Sequence, residues 1–192
     1  MLKLHDVEKW FEDLKNIIFD INVSIEDIKR ITHPVDEIEK KILQHGFFSH
    51  FYLQSRFTII VQLCKLFDEN KNQKRNLFKL FDRLSSEEYD EELIEKLNSN
   101  CNSNRLFGNR SDIQTEIILI KAEIETHRDI IKKIISLRDK FYAHSDPSSV
   151  LPRADNPELE ALVKLAVKIY NQIRGKLFVS IRRNTSFFIC HG

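Results

Sequence analysis

The sequence predicts an all-α protein: an up-and-down bundle of long antiparallel helices with short accessory helices. Apolar residues recur at spacings of three and four along most of the 192-residue chain, the period of a helix face turned to a core. Only four glycines and four prolines interrupt it, and 31% of the residues are charged, a composition of long solvated helices and not of turn-rich β structure. The prolines fall at 34, 147, 152 and 157, between or at the start of predicted helices, where a missing backbone N–H costs least.

Val7, Trp10, Phe11, Leu14, Ile17, Ile18 and Ile21 mark a first helix of about four turns. Ser24 reads as the N-cap of a short second helix carrying Ile25, Ile28 and Ile31, with Asp27 at its third position. Pro34 suits the first turn of the next helix, where Asp36 and Glu37 complement the positive end of the dipole. Ile38, Ile42, Phe48, Phe51, Tyr52, Ile59, Leu63 and Leu66 then carry a wide apolar face to about Phe67, with a kink allowed only at Gly46. The aromatic cluster of Phe47, Phe48, Phe51 and Tyr52 sits at helical spacing and reads as core, not as a base-stacking surface.

Residues 68–76 form a polar loop. Leu77, Leu80, Phe81 and Leu84 make a short amphipathic helix, and Ser85 with Glu88 has the form of a capping box for an acidic helix bearing Leu93, Ile94 and Leu97. Residues 98–110, rich in Asn and Ser, read as an exposed loop whose Leu106-Phe107-Gly108 folds back on the core. Ser111 and Gln114 open a long helix whose seam runs through Ile113, Ile117, Ile120, Ile124, Ile131, Ile134 and Phe141. After a loop at 145–155, Asn156 and Pro157 start the last long helix, with Leu159, Leu162, Val163, Ala166, Ile169, Ile173 and Leu177 facing inward. The whole reads as one domain over 1–192, with 1–32 as N-terminal accessory helices. Its tail, 182–192, reads equally as a packed or a disordered segment.

The net charge is +1, so no global field advertises a nucleic-acid partner. Charge is nevertheless patterned: 85–96 carries Glu87, Glu88, Asp90, Glu91, Glu92 and Glu95 against one lysine, while 127–140 is basic. Three widely spaced cysteines show no metal-ligand spacing, which suits a reduced, cytoplasmic protein. No signal-peptide pattern opens the sequence, and no apolar run approaches the roughly 20 residues that span a bilayer. A Gly-rich phosphate loop, an HExxH and an Asp-rich cluster are all absent, so neither metal nor cofactor is expected.

Two positions break the long seam, His127 and Arg138. His127 reads as a hydrogen-bonded core histidine. Arg138 cannot lose its charge and would be costly to bury alone. Either it has an acidic partner on a neighbouring helix, or the seam opens into a polar pocket that holds something anionic. His144 follows six residues later, with Ser145, Asp146 and the helix-stopping Pro147 behind it. In an unbroken helix six residues turn about 600°, leaving the two side chains roughly 120° apart. Convergence on one target needs the helix to loosen near His144, or a second copy of the site facing the first.

Residues 138–146, RDKFYAHSD, resemble the Arg, polar residue, four further residues, His signature of the HEPN superfamily, and the Ala before the His and the Asp two after it resemble its abortive-infection U-type branch. The stretch 62–69, QLCKLFDE, is also similar to that branch. The resemblance implies a HEPN-like helical bundle and a metal-independent endoribonuclease in phage defence or toxin action, or else a non-catalytic module of the same fold binding RNA, a nucleotide or a protein. It implies that His144 moves protons, that Arg138 steadies the phosphate and that Asp139 orients one of them, with Ser145 and Asp146 in support. Those roles suit the side chains: His titrates near neutrality and Arg forks onto phosphate oxygens. Arg128, Lys132, Lys133 and Lys140 are candidates to grip RNA backbone without reading sequence. The implied partners are RNA, a twofold-related copy with 127–146 facing its mate to complete a composite site, and an antitoxin or other regulatory protein. A related branch carries a modifiable Tyr two residues after the His, where this chain has Asp146, so that form of silencing is not expected.

Overall fold

The computed structural model describes residues 1–70, 76–100, 110–139 and 154–177. Eight helices form among them: α1 Leu4–Thr32, α2 Glu37–Leu43, α3 Gly46–Phe67, α4 Leu77–Ser86, α5 Glu91–Asn100, α6 Arg110–Glu125, α7 Arg128–Leu137 and α8 Asn156–Leu177. The all-α bundle expected from periodicity is what folds. Lys140, Phe141, His144, Ser145, Asp146, the turn at 106–108 and the tail at 182–192 lie outside the described residues.

The first 32 residues, expected as accessory helices, make one helix that packs along α3. Ser24 is no cap. It is buried inside α1, because Ile21, Ile25 and Ile28 continue the phase set by Val7, Trp10, Phe11, Leu14 and Ile18 straight across it. Burying one uninterrupted apolar stripe outweighs the preference of a serine for a helix end. Asn156, at the start of α8, accepts a hydrogen bond from Tyr52 in the first turns of α3, at 3.3 Å. About four turns later Tyr170 meets Phe11 near the start of α1, with ring centroids 5.9 Å apart. So α8 runs beside α3 and against α1, and Leu14, Leu63 and Ile169 are sealed from solvent among the three.

The continuous helix expected from Pro34 to Phe67 is two helices. Asp36 caps α2 by accepting from the Glu39 N–H at 2.7 Å, and the chain breaks at Gln44 and His45 before α3 begins at Gly46. No residue of α2 is buried; Ile38 is 73% exposed and Phe47 63%. The apolar face expected over the whole stretch is therefore core only in its second half, at Ile59, Leu63 and Leu66. Phe47 stacks on Phe51 in solvent instead of packing inside.

α4 buries four of its five apolar residues, Leu77, Leu80, Phe81 and Leu84, and packs against α6, while Phe78 stays half-buried. Ser85 lies within α4, not at a cap. The start of α5 is held by Asp90, which accepts from the Leu93 N–H at 2.9 Å and also from the Leu4 N–H, at 3.3 Å, so one carboxylate satisfies two helix N-termini. Leu2 ties in beside it, donating to the Glu88 carbonyl at 2.6 Å and accepting from the Asp90 N–H at 3.0 Å.

The long seam helix breaks once, at Thr126 and His127, into α6 and α7. Thr126 turns its hydroxyl onto the Glu123 carbonyl at 2.7 Å, and its N–H bonds the same carbonyl at 3.1 Å, a side-chain competition that interrupts the ladder. The seam survives: Ile113, Ile117, Ile120, Ile124, Ile131 and Ile134 are all buried. α6 lies against α8 through Glu116, which Gln172 and Lys176 both contact, and through Glu123 to Lys168 at 2.6 Å. Asp155 and Glu158, not Asn156, cap α8: each accepts from the other's backbone N–H, at 2.8 and 2.9 Å.

Candidate active site

Four residues after the buried Ile134, Arg138 follows the last turn of α7 on the same inward face. Of the two alternatives for its charge, the acidic partner is present, supplied by the end of α3. Asp68 closes that helix, its N–H bonding the Cys64 carbonyl at 2.9 Å. Arg138 Nη1 donates to Asp68 Oδ2 at 2.8 Å, with the two side chains only 22% and 11% exposed. Nε and Nη2 turn to Asp139 Oδ1 at 2.8 and 2.7 Å. These contacts use three of the five N–H donors of a guanidinium, and among the described residues the other two meet no partner. Burial opposes the Arg138 charge, but the hydrogen bonds it donates to Asp68 and Asp139 outweigh burial and raise its pKa above the ordinary value.

Asp68 is itself held. Its Oδ1 accepts from the Asn70 N–H at 2.9 Å and its carbonyl from Asn76 Nδ2 at 2.6 Å. The buried Asn76 uses its other side-chain atom to cap α4, accepting from the Lys79 N–H at 2.8 Å. Cys64, one turn earlier, is sealed from solvent; burial pushes its thiol up to about 12, with Arg138 pulling down and Asp68 and Asp139 pushing up. It stays a neutral thiol and is no nucleophile.

Beside Asp68 opens a pocket of about 210 Å³ between the end of α3, α4 and the α6–α7 seam. Its floor is Phe67, Ile124 and Ile131; the half-buried Phe78 and Ile135 flank it. Asp68, Glu69, Arg128 and Lys132 also line it, the last two one turn apart on α7, and Arg128 meets Glu69 at 3.3 Å.

Of the expected RNA-gripping residues, Lys132 is exposed at this rim. Arg128 bonds Glu125 at 2.8 Å and Glu69 at 3.3 Å. Lys133 bonds Glu158 in the first turn of α8 and, with the Asp155 backbone N–H, holds that carboxyl below its usual range. Lys140 lies outside the described residues, as do His144, Ser145 and Asp146, so of the expected proton-moving and phosphate-steadying group the structure describes Arg138 and Asp139. His127 is half-buried at the start of α7, its Nδ1 within 3.2 Å of the Glu123 carbonyl and 2.9 Å of the Thr126 hydroxyl. Sequence reasoning missed Asp68 and Asn76 as parts of the site. The one signal for Asp68 was its place inside the 62–69 stretch.

Among the described residues no helix is long and apolar enough to cross a membrane, and no group of three His, Cys, Asp or Glu is placed to share a metal ion. Compared with known proteins, residues 4–185 match the HEPN family described as AbiU2. No curated protein and no solved structure matches.

Proposed function

The chain belongs to the AbiU2 family of HEPN domains, and on that premise we propose that it is a metal-independent endoribonuclease acting in phage defence or as a toxin. The observation that carries this reading is the guanidinium of Arg138, clamped by Asp68 and Asp139 with two donors unmatched among the described residues. A clamped fork is preorganised for the charge that grows on a pentacoordinate phosphate, so little reorganisation is needed as the reaction proceeds. His144 completes the chemistry. An imidazole takes the proton of the ribose 2′-hydroxyl as that oxygen bonds phosphorus; a proton then passes to the 5′-oxygen as the P–O5′ bond breaks. The products are a 2′,3′-cyclic phosphate and a 5′-hydroxyl.

The reading extends to a cytoplasmic homodimer in which 127–146 of two chains complete one cleft, restrained by an antitoxin or other regulatory protein. Lys132, and Lys140 beyond the described residues, would grip flanking backbone. Arg128 and Lys133 would have to share their charge with Glu125, Glu69 and Glu158.

The second reading is a non-catalytic module that binds RNA, a nucleotide or a protein. One observation favours it: Arg138 is already balanced by two carboxylates, as a purely structural arginine would be. Incubating the purified chain with RNA in chelator separates the two. Cyclic-phosphate ends that disappear with His144→Ala support the nuclease; RNA left whole by the wild type, with or without candidate regulators, supports the module.

A further inference from the structure

Among the described residues α2 is the one helix that buries nothing. Its seven residues are fewer than the roughly 12–15 at which an isolated helix becomes even marginal in water. The Asp36 carboxylate accepts from the Glu39 N–H at 2.7 Å and the Glu39 carboxylate from the Val35 N–H at 2.5 Å, but a capping box fixes where a helix begins and does not cover its side. An apolar side is present and unused. Val35, Ile38, Ile42, Phe47 and Phe51 are between 39% and 91% exposed. Ile38 and Ile42 stand one turn apart on α2, as Phe47 and Phe51 do on α3, where their rings stack at 6.4 Å. Together the five expose about 600 Å², at the top of the roughly 300–600 Å² of the largest patch on a monomer and near the roughly 800 Å² that each side gives to a stable complex.

The charges beside this face point to its occupant. Asp36, Glu37 and Glu39 lie at the start of α2, and Lys40 and Lys41 in its last turn. A face carrying one sign of charge repels a copy of itself across a twofold axis. A face divided in this way attracts one, because two α2 helices crossed antiparallel set each acidic end against a basic end. We propose that a second copy of the chain docks on α2 and the first turns of α3, the two α2 helices crossing antiparallel about a twofold axis. Ile38 of each copy then meets Ile42 of the other, and Glu37 reaches Lys41, which is exposed and has no ion-pair partner among the described residues. This contact is distinct from the cleft pairing and does not rest on the nuclease reading. Phe47 and Asp68 stand at opposite ends of α3, about 30 Å apart along its axis, so a chain that makes both contacts joins two cleft dimers into a larger assembly.

The test follows the mass of the full chain in solution, with RNA cleavage read alongside. In sedimentation velocity across a dilution series, Ile38→Asp halves the mass of the wild-type assembly and raises its dissociation constant at least tenfold, while helical circular dichroism is unchanged. Glu37→Lys and Lys41→Glu, both on the exposed surface, each weaken pairing, because a homodimer of either holds like charges together twice. Mixed, the two variants pair again, since one chain then brings two bases and the other two acids. An effect confined within one helix has no such recovery. A wild-type chain monomeric at about 100 μM, weaker than any stable interface of this size, overturns the proposal and leaves the face to another segment of the chain or to a different protein. A mass untouched by Ile38→Asp, or single charge variants that stay apart when mixed, overturns it too. Halving of mass in a chain that cuts no RNA supports the pairing and removes only the nuclease; cleavage by a chain whose mass Ile38→Asp leaves unchanged removes only the pairing.

Discussion

Arg138 fastens the end of α7 to the end of α3 and is also the proposed phosphate ligand, so removing it has two effects that must be separated. Arg138→Ala leaves Asp68, 11% exposed, without its counter-charge, and breaking one side of a buried pair costs roughly 3–5 kcal/mol. The Asn70 N–H still serves Asp68, so we expect a loss near the lower end, about 3 kcal/mol, in urea unfolding. Asp68→Ala should cost a similar amount, and the double variant should fall short of the sum by more than about 1 kcal/mol. Additive single losses would mean the pair is not coupled. Glu116 gives a second residue-scale prediction. Burial opposes its charge, yet hydrogen bonds from Lys176 and Gln172 outweigh burial and hold its carboxyl below the ordinary 4.5. The unfolded chain then takes the proton first, so the stabilisation is complete above about pH 4.5 and is lost as pH falls through the lower folded value. Unfolding free energies measured from pH 7 down to pH 3 should fall for the wild type and fall less for Glu116→Gln; parallel curves would contradict this. At this scale the need of Arg138 for a partner was legible in the sequence, because a permanent charge on a buried face must be matched. The identity of Asp68 was not. Seventy residues separate the pair, and only the packing of α3 against α7 brings them together.

Helices were legible wherever an apolar stripe is buried along its whole length. The isoleucine seam of α6 and α7 and the inward face of α8 folded as their spacing says, because each stripe meets a partner over its full span. Boundaries were less legible, since they depend on competition among side chains. Ser24 looks like a cap but lies in an unbroken stripe; Thr126 looks ordinary but diverts a carbonyl and splits a helix. The α2 region was the largest misreading. Ile38, Ile42 and Phe47 have helical spacing, yet no element among the described residues covers them. Periodicity reports that a face is apolar and not that something lies against it. This division can be measured. Leu63→Ala, in the sealed half of α3, should cost about 2–5 kcal/mol. Phe47→Ser, one helix but four turns away, should change the stability of the single chain, measured at dilutions that keep copies apart, by no more than about 0.5 kcal/mol, as surface substitutions do. A large loss at Phe47 would show that its face is covered within its own chain.

In the whole molecule α1, α3 and α8 form the sealed body, and the candidate site lies at one end of α3, where α3 and α7 both terminate and α4 begins. That placement leaves the core intact while the candidate site is borne on its edge, where residues from several helix ends meet. It also bears on the composite cleft. Arg138 is committed to Asp68 on the face that packs against α3, and a helical continuation would turn His144 about 120° away from it. In the proposed dimer a twofold mate would resolve the mismatch by letting the imidazole of one chain meet the guanidinium of the other. Arg138→Gln and His144→Ala chains should then each be inactive alone, whether in cleavage or in growth arrest. Mixed in equal amounts and allowed to exchange subunits, about half of the dimers carry one chain of each kind, and each of these holds a single intact Arg–His pair across the twofold. Recovery should reach roughly a quarter of wild-type activity and should track the heterodimer fraction seen by native mass spectrometry. Heterodimers that form and stay inactive would place guanidinium and imidazole within the same chain, and the helix after Asp139 would then have to bend to bring them together.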